Sequence, residues 1–497
     1  MKIRPGFFIN LFKIYQMKFQ YKIVLVLLAI LSVYGCKRKH DKLPNTAPDT
    51  IITPEKINLA GDDRLNSIVF LSWYGTDKDG YVSEYEISLD NQNWAKTTQN
   101  DSVFSFTLNE GSDTTDISFY VRAIDNEGFT DPTPAYLNVP LKNTPPVVSF
   151  SENGFPQDSA HIVTTFTWAA SDVDGDETIV KAYLKANQGD WVEISVNETM
   201  ISLVPTNVSQ TGITDAYIYY GTNQVPLSTT LNGVNVGDTN TFYLKVIDFA
   251  EAESAPDTSE TLFIKPKISS RLFVSGLPSG ATTIYKTALS ASNIDNDFLD
   301  YSSDGGKFQP RFWSPTFDLL VNNYEDIIVV SDVTIFTNAV TGRKSGLLDF
   351  MAPSLQSFSN NGGKSLVVTS FIKGQDISGI TGIFPIDSLS SSVGQARLYP
   401  DSSITSILGV GYPDMGAINV LSGQSPFYLS IDAEEAYEGH FTPVQGWQGP
   451  TTVGARRKNG NNKYYQYFFS VQLYQLDQSP SDLQTLFDQI LNNDFNW

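Results

Sequence analysis

The chain has 497 residues, 41% hydrophobic and 12% aromatic. That is enough apolar material for about three packed domains and too much for a disordered polymer. Its net charge of −21 at pH 7 excludes a surface that attracts nucleic acid or anionic lipid, and a single cysteine excludes a disulfide framework.

In chain order, the first predicted element is an apolar run, Ile23–Gly35, preceded by Lys18 and Lys22 and followed at once by Cys36. The run is shorter than the ~20 residues a membrane-spanning helix needs. Basic flank, short apolar stretch, small residue and then cysteine resemble a bacterial lipoprotein signal peptide covering residues 1–36. The resemblance implies acylation at the Cys36 thiol and an outer-membrane lipid anchor, on the periplasmic or the surface face. Residues 37–45 then form a linker. Met17 begins a signal of ordinary length, so translation starts at Met1 or Met17. After cleavage 28 basic side chains stand against 54 acidic ones, a net charge near −26.

Residues 46–142 and 143–267 read as two copies of one unit. Asn45-Thr-Ala-Pro48 and Asn143-Thr-Pro-Pro146 each open a copy. The strands Ile68–Trp73 and Val163–Trp168 follow, with Val69, Leu71 and Trp73 alternating onto one buried face. Each copy closes on an aromatic-rich strand, Phe119–Asp125 or Phe242–Asp248, whose inward residues are Phe119, Val121, Ala123 and Phe242, Leu244, Val246. Short alternating strands, an early Trp and this late strand resemble the fibronectin type III sandwich. Trp and closing aromatic lie 46 positions apart in the first copy and 74 in the second. The second therefore carries an insertion within 197–235, where Tyr217, Tyr219 and Tyr220 suit either a binding loop or, preferred here, an extra hairpin.

Four residues after each Trp comes Asp-x-Asp-Gly: Asp77 and Asp79 before Gly80, Asp172 and Asp174 before Gly175. The preferred reading is a turn in which Asp bonds its own backbone and Gly takes positive φ. The alternative is calcium, for which Asp176, Glu177 and Asp248 add carboxylates in the second copy; calcium takes 6–8 oxygens, so two are a fragment of a site.

From residue 268 to 497 the pattern changes. Wholly apolar runs at Arg271–Ser275, Asp326–Val330 and Ser365–Thr369 predict parallel strands covered by helices on both faces. A helix is expected before Gly362-Gly363, with Leu347, Phe350, Met351, Leu355 and Phe358 inward and Pro353 as a kink. A last helix carries the stripe Leu483, Leu486, Phe487, Ile490, Leu491, opened by a Ser481/Gln484 capping box. Tyr465, Tyr467 and Phe469 are expected to face one helical layer. The whole is thus a multidomain chain: two all-β sandwiches, then a three-layer α/β domain.

The segments Phe317–Val330, Leu347–Phe350 with Asn361–Val368, and Thr452–Arg457 with Phe468–Leu473 are similar to the class I glutamine amidotransferase-like, flavodoxin-like fold. The resemblance implies a nucleophile on a strand-to-helix elbow near Thr369-Ser370-Phe371 and a downstream His-x-Glu pair. Cysteine and flanking glycines are missing there. Ser370 and His440, with Glu435 or Glu438 to orient the ring, are the substitute constellation, in which the imidazole takes the hydroxyl proton. The preferred expectation is a non-catalytic lipoprotein, held to the membrane by its lipid and binding an envelope protein or glycan, with no cofactor unless calcium. Phe312-Trp313 and the Tyr464–Phe469 cluster are candidates for stacking on sugar rings, and Glu434-Glu435 for a glycosidase pair.

Overall fold

The computed structural model describes residues 44–53, 65, 68–106, 114–173, 175–302, 313–338 and 341–496. The signal segment with Cys36, together with Asp174 and Phe312, lies outside them. The chain divides into two compact units, one ending at Lys142 and the other running from Asn143 to Trp497.

The first unit is a β-sandwich of strands β1 (Asp49–Thr53), β2 (Ile68–Thr76), β3 (Val82–Ser88), β4 (Ala95–Thr97), β5 (Asp101–Ser105), β6 (Thr114–Asp125) and β7 (Ala135–Lys142). One sheet has the order β1-β2-β5 and the other β4-β3-β6-β7, all antiparallel. The predicted inward residues form its core: Val69, Leu71, Trp73, Phe119 and Val121 belong to one buried cluster. Trp73 packs between Tyr85, Phe104 and Phe119 with ring centroids 6.0–6.3 Å apart. The face opposite carries Phe70 and Tyr74, both exposed.

The second unit opens with the same plan. Its strands are β8 (Val147–Phe150), β9 (Ser159–His161), β10 (Thr164–Ser171), β11 (Ile179–Ala186), β12 (Val192–Ile194), β13 (Met200–Pro205), β14 (Gly212–Tyr220), β15 (Thr230–Val236), β16 (Thr239–Asn240), β17 (Phe242–Asp248), β18 (Asp257–Thr258) and β19 (Leu262–Lys265). Sheet β15-β14-β13-β10-β8 faces sheet β12-β11-β17-β18, and β16-β19-β9 closes one side. The insertion is the hairpin β14–β15, added to the edge of β13. Two of its tyrosines are structural: the Tyr220 hydroxyl accepts from the Ser195 amide at 2.7 Å, and Tyr219 packs against the core described next; Tyr217 is exposed.

The rest of the unit is built on one nine-stranded sheet. Its elements are β20 (Arg271–Ser275), α1 (Ser279–Ala291), β21 (Asp297–Asp300), α2 (Thr316–Val321), β22 (Asp326–Val330), the hairpin β23 (Ile335–Thr337) and β24 (Lys344–Gly346), α3 (Leu347–Asn360) and β25 (Lys364–Val368). Ten short strands follow: β26 (Ile386–Leu389), β27 (Gln395–Leu398), β28 (Ser403–Ser406), β29 (Met415–Gly416), β30 (Leu421–Gln424), β31 (Phe427–Leu429), β32 (Glu434–Gly439), β33 (Thr442–Val444), β34 (Thr452–Lys458) and β35 (Tyr464–Phe469). The helix α4 (Pro480–Phe487) comes last. The sheet order is β21-β20-β22-β25-β35-β34-β32-β28-β29. The first five strands are mutually parallel, and antiparallel pairing takes over from β35 to β34 onward. Strand residues alternate between two cores. Phe273, Val368 and Phe469 pack with Tyr285 of α1 and Leu486 of α4; Val274, Val329 and Phe468 pack with Phe317 of α2 and Leu355 of α3. The apolar runs are wholly apolar because both faces are covered.

Three local expectations are corrected. The last helix has Ser479 at its N-cap and Pro480 at its first position, with no side-chain cap bond, so Ser481 and Gln484 make no capping box; proline suits the first position because its missing N–H has no partner to lose. Beyond Phe487 the helix continues as a π-helical stretch, Asp488–Asp494. In β35 a register shift pairs Lys458 with Tyr464 and Arg457 with Gln466, so Tyr464, not Tyr465, joins Tyr467 and Phe469 on the α1/α4 face, as an extra residue in a ladder turns its neighbours over.

The second sandwich is welded to this sheet. Ile162, Val163 and Val204 belong to the α2/α3 core, and Thr316 Oγ1 bonds Thr165 Oγ1 at 2.7 Å. Asp297, fully buried, is the hub of the joint. It accepts from the Ile268 amide at 3.0 Å and the Tyr324 hydroxyl at 2.9 Å, and lies 3.8 Å from Lys265 Nζ and 3.9 Å from His161 Nε2. Tyr324 gives its single proton to Asp297, so in its 2.5 Å contact with His161 it accepts from Nε2.

Candidate functional site

Ser370 lies two residues past β25, and His440 one residue past β32. The two strands point the same way but are separated by β35 and β34. The row Val368, Phe469, Gly454, Tyr437 runs straight across them. Three strand spacings of ~4.8 Å put the two residues roughly 14 Å apart, far beyond proton-transfer reach. Each is engaged elsewhere. Gln472 Nε2 donates to Ser370 Oγ at 3.3 Å and to the Ser331 carbonyl at 2.6 Å. His440 is exposed, with Nε2 3.0 Å from Thr405 Oγ1. Glu435 accepts from Thr452 Oγ1. No helix begins after β25, so the strand-to-helix elbow of the amidotransferase-like pattern is absent here. The three residues are not brought together.

Both tetrads follow the expected strands, but only Gly175, and not Gly80, takes the expected positive φ. Asp79 accepts from Thr46, at the start of the first copy, through both amide and hydroxyl, and its own amide bonds Asp77 Oδ1 at 3.3 Å. These bonds hold the Asp79 carboxyl below the usual range, the Thr46 hydroxyl contributing most. In the second copy Asp176 Oδ1 accepts from the Asp172 amide at 3.0 Å, Asp172 Oδ2 accepts from Thr178 Oγ1 at 2.8 Å, and Gly175 takes φ 116°. Among the described residues no cluster of three or more His, Cys, Asp or Glu suits a metal ion. Asp248 is occupied by Asn143, whose Nδ2 donates at 2.7 Å. Asn45 does the same to Asp125 at 2.5 Å, so the opening Asn of each copy latches onto the Asp that ends its closing strand.

Of the aromatic candidates, Trp313, Tyr467, Phe468 and Phe469 are engaged inside the fold. Trp313 stacks between Tyr301 and Phe350 at 4.7 and 4.8 Å. Glu434 pairs with Arg456 and Lys458, which hold its carboxyl low, with the Lys458 hydrogen bond first among the causes.

A cleft of about 290 Å³ opens directly beyond Ser370, at the carboxyl end of β25. Phe371 and Lys373 form one wall, Gln395 of β27 and Gln424 of β30 another, and Trp447 closes it with Ser390. Ligand crevices in open parallel sheets lie beyond the carboxyl ends of their strands. The order β30-β27-β33 and the pair β26-β31 build its walls. Gly394 lets them meet: its φ is 85°, and a Cβ there lies 2.1 Å from the Val444 carbonyl oxygen. The loop behind is pinned by Arg457, which donates to the Ile383 carbonyl at 2.8 Å and pairs with Asp432 at 2.9 Å. Lys373 is the one ionisable residue of the lining, and its Nζ donates to the Gly394 carbonyl at 3.2 Å. Sequence reasoning stopped at Ser370 and passed over Gln395, Gln424 and Trp447. The one local signal was Gly446-Trp447-Gln448-Gly449, an aromatic residue held in a glycine turn.

No protein-family model matches the chain, and no curated protein matches it in sequence. Solved structures similar to it include the fibronectin(III)-like modules of CbhA from Clostridium thermocellum, 14% identical over 43% of this chain and 94% of that one, with a TM-score of 0.17. A two-domain fibronectin type III segment of chicken tenascin is 10% identical over 41% of this chain and 95% of that one, TM-score 0.19. SGBP-B of the Bacteroides ovatus mixed-linkage glucan utilization locus, solved with a heptasaccharide, is 12% identical over 47% of this chain and 52% of that one, TM-score 0.13. The neighbours are fibronectin type III-like modules.

Proposed function

We propose that this is a non-catalytic binding protein of the bacterial cell envelope, anchored by acyl chains on Cys36. Its two sandwiches act as modules that carry a divergent, amidotransferase-like α/β domain, and the domain receives a protein or glycan partner in the cleft beyond β25. The observation that carries the reading is the state of Ser370: its hydroxyl is held by Gln472, the only described imidazole on that sheet lies about three strand spacings away, and the adjoining cleft is lined by hydroxyls, amides and a tryptophan. A site so built orients a ligand and lacks a base to activate a nucleophile. The direct test is to assay the purified protein and Ser370→Ala for ester, amide and glycoside hydrolysis; turnover that disappears with the hydroxyl refutes the proposal.

The Cys36 anchor has its own test. Replacement by Ser is expected to move the protein from the membrane to the soluble fraction, since one or more acyl chains supply the membrane affinity; a chain that stays with the membrane removes this part. The Asp-x-Asp-Gly segments serve as turns in this reading. Chelator is then expected to leave the melting temperature unchanged, whereas a drop on calcium removal establishes the metal.

A further inference from the structure

We infer that the cleft beyond β25 takes a neutral oligosaccharide, an inference that rests on the binding reading above and names its ligand. The chemistry of the lining works by elimination. An anionic ligand needs cations. Lys373 is the only one in the lining, its ammonium is tied to the Gly394 carbonyl, and the chain around it carries 54 acidic residues; repulsion disfavours uronate, sulfate and phosphate groups. A cationic or metal-bound ligand needs carboxylates, and none lines the cleft. A wholly apolar ligand would strand the side-chain amide of Gln395, which no described residue satisfies, at a cost in free energy.

What remains is a polar, uncharged molecule with one apolar face. A pyranose ring is such a molecule: its axial C–H face packs on an aromatic ring while its equatorial hydroxyls give and take hydrogen bonds. The lining offers both halves. The half-buried Trp447 supplies apolar surface and is braced edge-on by Phe441 at 5.7 Å. Gln395 and Gln424 supply planar amides that donate and accept at once, as adjacent sugar hydroxyls require. Gln395 is exposed and makes no side-chain hydrogen bond among the described residues. The Ser hydroxyls differ. Ser392 Oγ accepts from the Gln448 amide at 2.7 Å and Ser425 Oγ donates to the Phe371 carbonyl at 2.9 Å. These two fix the walls, and ligand contact falls to the glutamines, the tryptophan and the exposed Ser422. At about 290 Å³ the cleft sits at the small end of ligand sites, ~300–1,000 Å³, which fits a short stretch of a sugar chain leaving by the open mouth.

The test is calorimetric titration of the full-length protein in detergent with cellohexaose, laminarihexaose, xylohexaose and mannohexaose, with hexagalacturonate as the acidic counterpart. At least one neutral hexasaccharide is expected to bind, and hexagalacturonate at least tenfold more weakly. Trp447→Ala is expected to weaken the neutral ligand tenfold or more, and the exposed Gln395→Ala a few-fold with the melting temperature unchanged. The inference is overturned if no neutral hexasaccharide binds, if the acidic one binds as tightly, or if both variants bind like the parent. An envelope protein captured by the parent but lost from Trp447→Ala, with every sugar silent, overturns the ligand class and leaves the binding reading intact. Sugar turnover abolished by Ser370→Ala overturns the binding reading and leaves the ligand class intact.

Discussion

The two sandwiches share a plan and differ in what one face meets. Aligned on Trp73 and Trp168, the outward residue three positions earlier is Phe70 in the first copy and Thr165 in the second. Phe70 is exposed, whereas Thr165 is buried and hydrogen-bonded to Ser202 Oγ at 2.8 Å and Thr316 Oγ1 at 2.7 Å. The first copy is a compact unit of its own; the second shares a core with the nine-stranded sheet. The lesson is that a small polar residue on an outward strand position lets a second layer approach closely while its own hydroxyl keeps partners on both sides. An aromatic ring at the same position leaves the strand without that joint.

The comparison is open to attack at several points. The largest effect is expected at the hub of the joint. Asp297→Ala leaves Lys265, Tyr324 and the Ile268 amide without their common acceptor, and breaking a buried charge pair costs about 3–5 kcal/mol. In denaturant, the transition of the second unit should fall while that of the first stays in place; a shift in both removes the distinction between them.

Exchange of the aligned residues comes next. Thr165→Phe overfills the joint, at about 1–3 kcal/mol, and also loses two hydroxyl bonds. Phe70→Thr, on an exposed face, should change stability by less than about 0.5 kcal/mol. Equal effects in the two copies contradict the welded-face account.

The histidine part of the acid response should belong to one unit alone. Burial, and secondarily the Lys265 charge, pushes the His161 imidazole down to about 3; Lys265, Asp297 and Tyr324 are the charged and titratable groups around it. The native state therefore binds fewer protons than the unfolded state between about pH 3 and the unfolded value near 6.5. Stability is full above about 6.5 and falls as pH drops through that window, by up to about 1.4 kcal/mol per unit. Moving from pH 7 to 5 should cost the second unit about 2 kcal/mol from this residue, a slope that His161→Gln removes. The first sandwich contains no histidine, so its transition should lack this component.

The smallest difference concerns the latches. Asn143→Ala and Asn45→Ala each remove a hydrogen bond to a buried Asp, at about 1 kcal/mol. The Asn143 bond is buried and the Asn45 bond partly so, so urea midpoints should fall further for Asn143.

Much of the fold was legible because hydrophobic periodicity is local. Val69, Leu71 and Trp73, the closing strands, and the stripe from Leu483 to Leu491 are all buried. The repeat was legible too, and with it the insertion, whose form as the hairpin β14–β15 was the preferred expectation. The capping box misled because Ser479 and Pro480 stand just upstream and proline is the better first helical residue. Tyr465 misled because a bulge cannot be read from alternation. The site was barely legible: Ser370 marks its floor, but Gln395, Gln424 and Trp447 come from separate strands and loops with no shared spacing.

The sequence by itself determined the strands, the repeated sandwich plan and the two apolar faces of the parallel strands. Each depends on residues within a few positions of one another. Tertiary structure alone decided that one sandwich stands as its own unit and the other is welded, that Ser370 and His440 lie apart, and that four separate segments enclose a cleft. These outcomes depend on which surfaces meet, and strand order across a sheet is set by the packing of whole layers, which no local pattern encodes.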